Sequence, residues 1–416
     1  MTRRHWAGQE KKIPVADASV SRERHNIFSF AATNLMSNAT RRRLPNSTPS
    51  ESFCVVAAWL QCRNTLGTPM KIARRPQLPI RLLTLWALAT LAAILGEPSL
   101  AAPALGDYNI DPSRISVSGF SAGGFFAMQM AVAYSSVFHG VAIFAGGPYD
   151  CARNASVFGC VDNVVPDISS SIANMRSWSA NRIDDIKNIN KQRVYIFVGK
   201  DDGIVGPNVA QQVKRLYLDD GGFAAIGNVK YVELEGINHT FPTNFNRAGD
   251  SPCGYLILPF ISNCKFDGAG DALQWIYGAL NEPNTGSSNG ELVAFDQTPF
   301  IGHGSGMDKT GWLYVPASCA AGRRCALHVA LHGCQQAYAF IGAYFLNNTG
   351  YNRWADTNNM ILLYPQTSAS LSNPFSCWDW IGLYGPNYDQ KSGIQMRAIM
   401  AMVQHIARSS SAIARR

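Results

Sequence analysis

The run Ile115-Ser-Val-Ser-Gly119-Phe120-Ser121-Ala122-Gly123-Gly124 constrains this chain more than any other ten residues. An apolar, β-rich stretch enters it. A small-residue helical pattern over 122–134 leaves it, so the serine stands at an abrupt strand-to-helix turn. Glycines two positions to either side remove the Cβ atoms that would keep strand and helix apart. Such a turn lifts the hydroxyl to the carboxyl edge of a sheet and aims the next backbone N–H, that of Ala122, at an oxyanion. An ordinary glycine turn would require neither the strand before nor the helix after. Ser121 is therefore the candidate nucleophile.

The alternation of strand and helix continues along the chain. Residues 114–118, 141–145, 194–198 and 229–234 read as strands, with helices over about 208–218 and 270–280. After an Asn-, Gly- and Ser-rich stretch at 281–290, which has the composition of a linker, come strands at 291–295, 312–315, 326–331 and 360–364. An amphipathic helix over 394–407 closes the series. This is an α/β pattern: a mostly parallel sheet with helices on both faces and an antiparallel start. There is no internal repeat and no Thr- or Ser-rich spacer that would announce a separate polymer-binding module.

Serine hydrolases on such a sheet order their triad as Ser, then acid, then His. The strand at 194–198 ends in Gly199-Lys-Asp201-Asp202-Gly-Ile-Val205. An acid three residues after the glycine and three before the valine selects Asp202, which leaves Asp201 as a solvated loop charge. Asp202 would hold the histidine in one tautomer and stabilise its imidazolium. His239 follows the strand at 229–234, in Gly236-Ile-Asn-His239-Thr-Phe-Pro, where a loop can carry it to the serine as general base. His139, His303, His328 and His405 lack this placement. His328 and His332 are four apart, a spacing that suits a metal on a helix. On a strand, four residues span about 13 Å, which argues against a zinc site.

The strand at 326–331 runs into Leu331-His332-Gly333-Cys334-Gln335. A strand ending in His-Gly is how lipases and esterases build the second half of an oxyanion hole, here with the Cys334 amide as donor. That loop normally precedes the nucleophile, whereas here it follows the whole triad. The helix over 394–407 looks like the one that would run into Asp111-Pro-Ser-Arg-Ile115. Joining the ends of the mature chain restores the usual order, so the chain reads as a circularly permuted α/β-hydrolase.

These motifs together resemble the extracellular poly(3-hydroxybutyrate) depolymerases with a single-domain, circularly permuted catalytic unit. The resemblance covers about residues 107–408. It rests on Gly-Phe-Ser-Ala-Gly-Gly, Gly-Lys-Asp-Asp-Gly-Ile-Val-Gly-Pro-Asn-Val, Asn-His-Thr-Phe-Pro-Thr, Leu-His-Gly-Cys-Gln-Gln and Cys-Trp-Asp-Trp. It implies Ser121, Asp202 and His239 as triad and Ala122 and Cys334 as oxyanion donors. It also implies an aromatic-lined surface crevice for one polyester strand, to which Asn373 and Trp378 belong. Trp378 and Trp380 have the apolar area to cover an aliphatic ester chain, and Trp378 is the favoured one. The chemistry needs no metal or organic cofactor. A feruloyl or acetyl-xylan esterase is the alternative within the same esterase group. A catalytically dead polymer-binding protein is the alternative from another class.

Composition places this catalyst outside the cell membrane. The formal net charge is +8, but residues 1–101 alone carry a surplus of nine positive charges and the remainder is balanced to within one. Residues 102–416 thus have no electrostatic footprint for nucleic acid or an anionic bilayer. Lys71, Arg74, Arg75 and Arg81 precede a fourteen-residue apolar run, Leu82 to Leu95, followed by small residues Ser99 and Ala101. That is the order of a secretory signal peptide over 70–101, and the run is short for a membrane span of about 20 residues. Met70 would then be the initiator, and residues 1–69 an upstream segment from an initiation codon placed too early, or a disordered extension. Residues 102–416 form one catalytic domain, secreted to the medium or periplasm as a monomer. Of ten cysteines, eight follow the signal, an even number that suits an oxidising compartment. Their spacing suggests Cys151–Cys160, Cys253–Cys264 and Cys319–Cys325, leaving Cys334–Cys377 by elimination.

Overall fold

Long buried runs of β-branched and aromatic residues set the architecture. The computed structural model describes residues 102–154 and 156–408; the expectations for 1–69 and the signal segment lie outside the described residues. The strands are β1 (Ile110–Phe120), β2 (Gly140–Phe144), β3 (Arg193–Gly199), β4 (Val229–Leu234), β5 (Phe241–Thr243), β6 (Ile261–Asn263), β7 (Glu291–Asp296), β8 (Thr310–Val315), β9 (Cys325–Leu331) and β10 (Met360–Tyr364). Eight form one sheet in the order β4-β3-β2-β1-β9-β10-β8-β7, and β5 and β6 form a small parallel pair. All neighbours in the large sheet are parallel except β8, which runs antiparallel to both β10 and β7. The central strands β2, β9 and β10 are buried at every position. This is why they read as continuous apolar runs rather than as alternation: parallel strands are covered on both faces.

The side-chain period of two sorts these runs into two cores. Val141 and Ile143 of β2 join one core, with the helices α1 (Ala122–Ala133), α2 (Pro207–Tyr217) and α5 (Ile394–Ile406). Ala142 and Phe144 join the other, with α3 (Gly268–Tyr277) and α4 (Tyr351–Thr357). Every residue of α1 is buried, so the helix that leaves Ser121 is fixed on all sides.

Counted from the antiparallel edge, the strands occur as β7, β8, β10, β9, β1, β2, β3, β4. Among the described strands, and apart from the local exchange of β9 and β10, chain order breaks once, where β9 lies beside β1, so that the last strands of the chain precede the first. Helix α5 bridges it: Tyr108 N–H donates to the Ile406 carbonyl at 2.7 Å, and His405 Nε2 donates to the Leu105 carbonyl at 2.7 Å. The last helix thus ends where the first strand begins, which is the geometry of a permuted chain. Residues 281–290 are tied to α4 rather than free: Asn281 N–H reaches Asn358 Oδ1 at 2.7 Å, and Asn284 donates to Asp356. Four disulfides join Cys151 to Cys160, Cys253 to Cys264, Cys319 to Cys325, and Cys334 to Cys377.

Candidate active site

Ser121 has a backbone that a non-glycine residue seldom adopts, φ 56° and ψ −124°. The surroundings hold it there. Its N–H donates to the Phe144 carbonyl at 2.9 Å, and its carbonyl accepts from Phe125 at 3.0 Å. The glycines explain the close packing. A Cβ on Gly119 would lie 2.0 Å from the Gly123 carbonyl oxygen, and one on Gly123 would lie 2.5 Å from the carbonyls of Leu331 and His332. The first turn of α1 therefore rests directly on the ends of β1 and β9. The first amides of a helix have no intrahelical acceptor, and Ala122, which follows Ser121 directly, is the first residue of α1.

Asp202 stands just beyond β3, buried to 3% exposure. One carboxylate oxygen accepts from the amides of Ile204 and Val205, each at 2.9 Å; the other lies 2.9 Å from His239 Nδ1. Burial alone drives this carboxyl upward. His239 and the two amides outweigh it and hold Asp202 below its ordinary value of 3.8. Its neighbour Asp201 is exposed.

His239 arrives on the loop after β4. The Asn238 N–H donates to the Cys253 carbonyl at 3.1 Å, and Gly199 lets the loop settle on the end of β3, since a Cβ there would meet the Ile237 carbonyl at 2.2 Å. The ring lies 4.8 Å from that of Phe120 and edge-on to Phe260 at 6.4 Å. Its Nε2 is 2.9 Å from Ser121 Oγ. One hydrogen-bonded line thus joins residues 121, 239 and 202.

The loop after β9 closes the opposite side. A Cβ on Gly333 would come within 3.2 Å of the Ser121 Cβ. The Gly333 N–H donates to Gln336 Oε1 and the Gln335 N–H to the Phe375 carbonyl, both at 2.7 Å. Between them lies the Cys334 amide, whose side chain is bonded to Cys377. His332 is fully buried. Its Nδ1–H donates to the Gly333 carbonyl at 2.8 Å, its Nε2 lies 3.3 Å from Thr367 Oγ1, and burial pushes it down to about 4. It is a neutral strut of the loop. His328 belongs to a different cluster, 2.6 Å from Ser116 and 2.8 Å from Ser118, with Tyr277 and Tyr351 beyond, and burial pushes it down to about 3.

The expected crevice residues need correction. Trp378 has no exposed surface: it stacks on Phe126 at 5.2 Å and lies 5.4 Å from His332, inside the core under α1. Asn373 is fully buried too. Its carboxamide donates to the Cys377 carbonyl at 2.8 Å and accepts from the Cys377 N–H at 2.9 Å, so it shapes the loop that carries the disulfide. Asp379 Oδ1 and Oδ2 likewise take the amides of Gly382, Leu383 and Tyr384. These backbone demands draw the segment inward. Trp380 keeps 9% exposure, stacked on Phe125 at 4.1 Å in an apolar cluster with Ala122, Val205 and both the Cys151–Cys160 and Cys334–Cys377 bridges.

Most of the exposed large apolar residues, Ile226 excepted, instead lie on segments joined to the loops that carry the site. Tyr255, Ile257 and Leu258 lie on the loop bonded to Asn238; Tyr338 and Phe340 follow the 332–336 turn; Leu371 shares a loop with Phe375; Phe158 and Val165 sit on the segment bonded to Ile204 and Val205. Sequence reasoning missed this set, because loops and helical turns of three or four residues, such as Val157–Gly159 and Tyr338–Ile341, carry no periodicity to mark which side faces solvent. Among the described residues there is no group of three or more metal-ligating side chains, and no helix is long and apolar enough to cross a membrane.

The strand order and the strand–turn–helix at Ser121 define a circularly permuted α/β-hydrolase. No protein-family profile matches the chain. A polyhydroxybutyrate depolymerase of Talaromyces funiculosus is 51% identical over 325 residues, 75% of this chain and 95% of that protein. A poly(3-hydroxybutyrate) depolymerase of Delftia acidovorans is 40% identical over 327 residues, 76% of this chain and 64% of that one. The crystal structure of a PHB depolymerase from Penicillium funiculosum superposes with a TM-score of 0.70 at 50% identity, covering 73% of this chain and 99% of that chain. A serine-to-alanine PHB depolymerase complexed with an R3HB trimer matches equally well. The chain belongs to the poly(3-hydroxybutyrate) depolymerases and is a carboxylic ester hydrolase.

Proposed function

We propose that this protein hydrolyses the ester bonds of poly(3-hydroxybutyrate) and related short-chain polyhydroxyalkanoates through an acyl-serine intermediate, with Ser121, His239 and Asp202 as its triad. The observation that carries the reading is the unbroken line of 2.9 Å contacts from Ser121 Oγ through the imidazole to Asp202, in a chain whose relatives bear that activity in their names. Ser121 attacks the ester carbonyl while His239 Nε2 takes its proton. The amides of Ala122 and Cys334 receive the developing oxyanion. His239 returns the proton to the departing alkoxide, releasing an alcohol. Water then repeats the sequence on the acyl-serine and releases the acid.

Further support for a solid or oligomeric polyester comes from the exposed apolar side chains on the segments joined to the site's loops, which suit an aliphatic surface better than a soluble sugar ester. The four disulfides among the described residues suit an oxidising compartment and hence secretion. The test is clearing of amorphous poly(3-hydroxybutyrate) by the purified protein beside Ser121→Ala. Clearing by the wild type alone is expected. Equal clearing by both would end the mechanism, and turnover of methyl ferulate with no release of hydroxybutyrate would end the substrate assignment.

A further inference from the structure

The oxyanion-side loop and the histidine-side loop are joined at one buried point, the carboxamide of Gln336. This side chain is 1% exposed. Its Oε1 accepts the Gly333 N–H at 2.7 Å; its Nε2 donates to the Pro259 carbonyl at 2.8 Å and to the Phe260 carbonyl at 3.3 Å. The orientation of the amide is fixed by its partners, since a backbone N–H can only donate and a backbone carbonyl can only accept. Only a primary carboxamide of this length meets both demands. Glutamate keeps the acceptor but turns its second oxygen on two carbonyls. Methionine fills the space and makes neither bond.

Both ends of this bridge hold strained backbone. Gln335, next to the Cys334 amide, has φ 62°, and Phe260, whose ring lies edge-on to His239, has φ 56°. Residues other than glycine persist in this region only where their surroundings over-determine them. The Gln335 N–H is taken by Phe375 and the Gly333 N–H by Gln336. The two amides flanking Cys334 are thus occupied, and the Cys334 N–H lies between them, next to a glycine whose Cβ would come within 3.2 Å of the Ser121 Cβ.

We propose that Gln336 is a positioning residue for ester hydrolysis: its side chain sets the Cys334 amide and couples it to the loop that seats His239. This inference rests on the catalytic reading above. Displacing one preorganised donor by a fraction of an ångström costs less than deleting it, so a fall in kcat of about tenfold to a hundredfold is expected.

The experiment compares wild type, Gln336→Met, Gln336→Glu and Ser121→Ala on a soluble butyrate ester, with active sites titrated so that kcat refers to folded protein. Expected for both Gln336 variants are a loss in kcat of that size, KM within about twofold and a pH–rate profile of unchanged shape. A trifluoromethyl ketone, which forms the tetrahedral oxyanion, should bind more weakly in proportion to the loss in kcat/KM. A merely structural role would leave that proportion unmet, because lost folding lowers the number of titrated sites and not the affinity of each. Wild-type kcat in Gln336→Met, or both variants failing to fold, overturns the proposal. Activity in Ser121→Ala instead overturns the catalytic reading beneath it.

Discussion

In the proposed mechanism two walls face Ser121, one carrying the base and the other the oxyanion donors, and they are held by different physics. The base wall is electrostatic. Asp202 is buried, anionic and satisfied by two amides and an imidazole, and the imidazole is seated between aromatic rings. The oxyanion wall carries no formal charge. It is held by the covalent Cys334–Cys377 link, by backbone bonds and by one neutral carboxamide. A base must exchange a proton during each half-reaction, so its wall tolerates charge and changes it. An oxyanion hole must have its dipoles in place before charge develops, so its wall is stiff and uncharged. Changing charge should therefore damage the first wall, and cutting connections should damage the second.

The largest effect tests what both walls serve. Ser121→Ala is expected to lower kcat on the order of a millionfold while leaving the thermal midpoint nearly unchanged, read by single-turnover hydrolysis and calorimetry. Next comes the base wall alone. Asp202→Asn keeps the shape but presents an N–H to an imidazole that needs an acceptor, and should cost on the order of 10³–10⁴ in kcat. A loss below tenfold would mean that this carboxylate does not set the tautomer. The same pair of proteins reports on pH. Asp202 is more acidic in the fold than its ordinary 3.8, so its stabilisation is fully present above that value and disappears as pH falls through the folded value. The difference in thermal midpoint between wild type and Asp202→Asn should therefore be constant at mildly acidic pH and shrink below about 3.8.

The oxyanion wall should respond to a cut. Replacing Cys334 and Cys377 together by serine opens a covalent loop with a sequence separation of 43. The chain-entropy account of such a link gives about 4 kcal/mol of lost stability. We expect kcat on a soluble ester to fall about tenfold to a hundredfold through a displaced Cys334 amide, while the pH dependence set by the base wall stays in place. Unchanged kcat in folded double variant would show that backbone bonds alone hold this wall, and the contrast between the walls would narrow to charge.

The unequal legibility of the molecule follows the same division. Ser121, Asp202 and the turn at 332–334 were legible as candidates because each follows a buried apolar strand, and parallel strands covered on both faces write themselves as unbroken runs; His239 follows the half-buried edge strand β4 and was legible from chain order instead. The permutation was legible for the same reason, from strand order. What the sequence concealed are the loops. The resemblance placed Trp378 and Asn373 at a surface crevice, yet Asn373 and Asp379 collect backbone amides that pull that segment into the core. The helix Ser169–Trp178 and the pair β5 and β6 went unread because short elements with mixed polarity have no period to detect. Gln336 carries no local signal, since its partners Pro259 and Phe260 are more than 70 positions away.

The smallest effect lies outside both walls. Leu371 and Tyr255 are among the most exposed large apolar side chains, on loops attached to opposite walls: the former shares its loop with the Phe375 carbonyl that binds Gln335, the latter with the Cys253 carbonyl that binds Asn238. Full burial of one such side chain is worth about 1.5–3 kcal/mol, and contact with a flat polymer surface recovers only part of that. Leu371→Ser and Tyr255→Ser should each reduce clearing of a poly(3-hydroxybutyrate) film a few-fold, and more steeply together. Neither should alter kcat on a soluble butyrate ester, because the loops are held to the walls by the backbone carbonyls of Phe375 and Cys253, which both substitutions leave in place. If soluble turnover falls in step with film clearing, the apolar rim belongs to the walls themselves; if only the film responds, adsorption and chemistry are separate properties of the same loops.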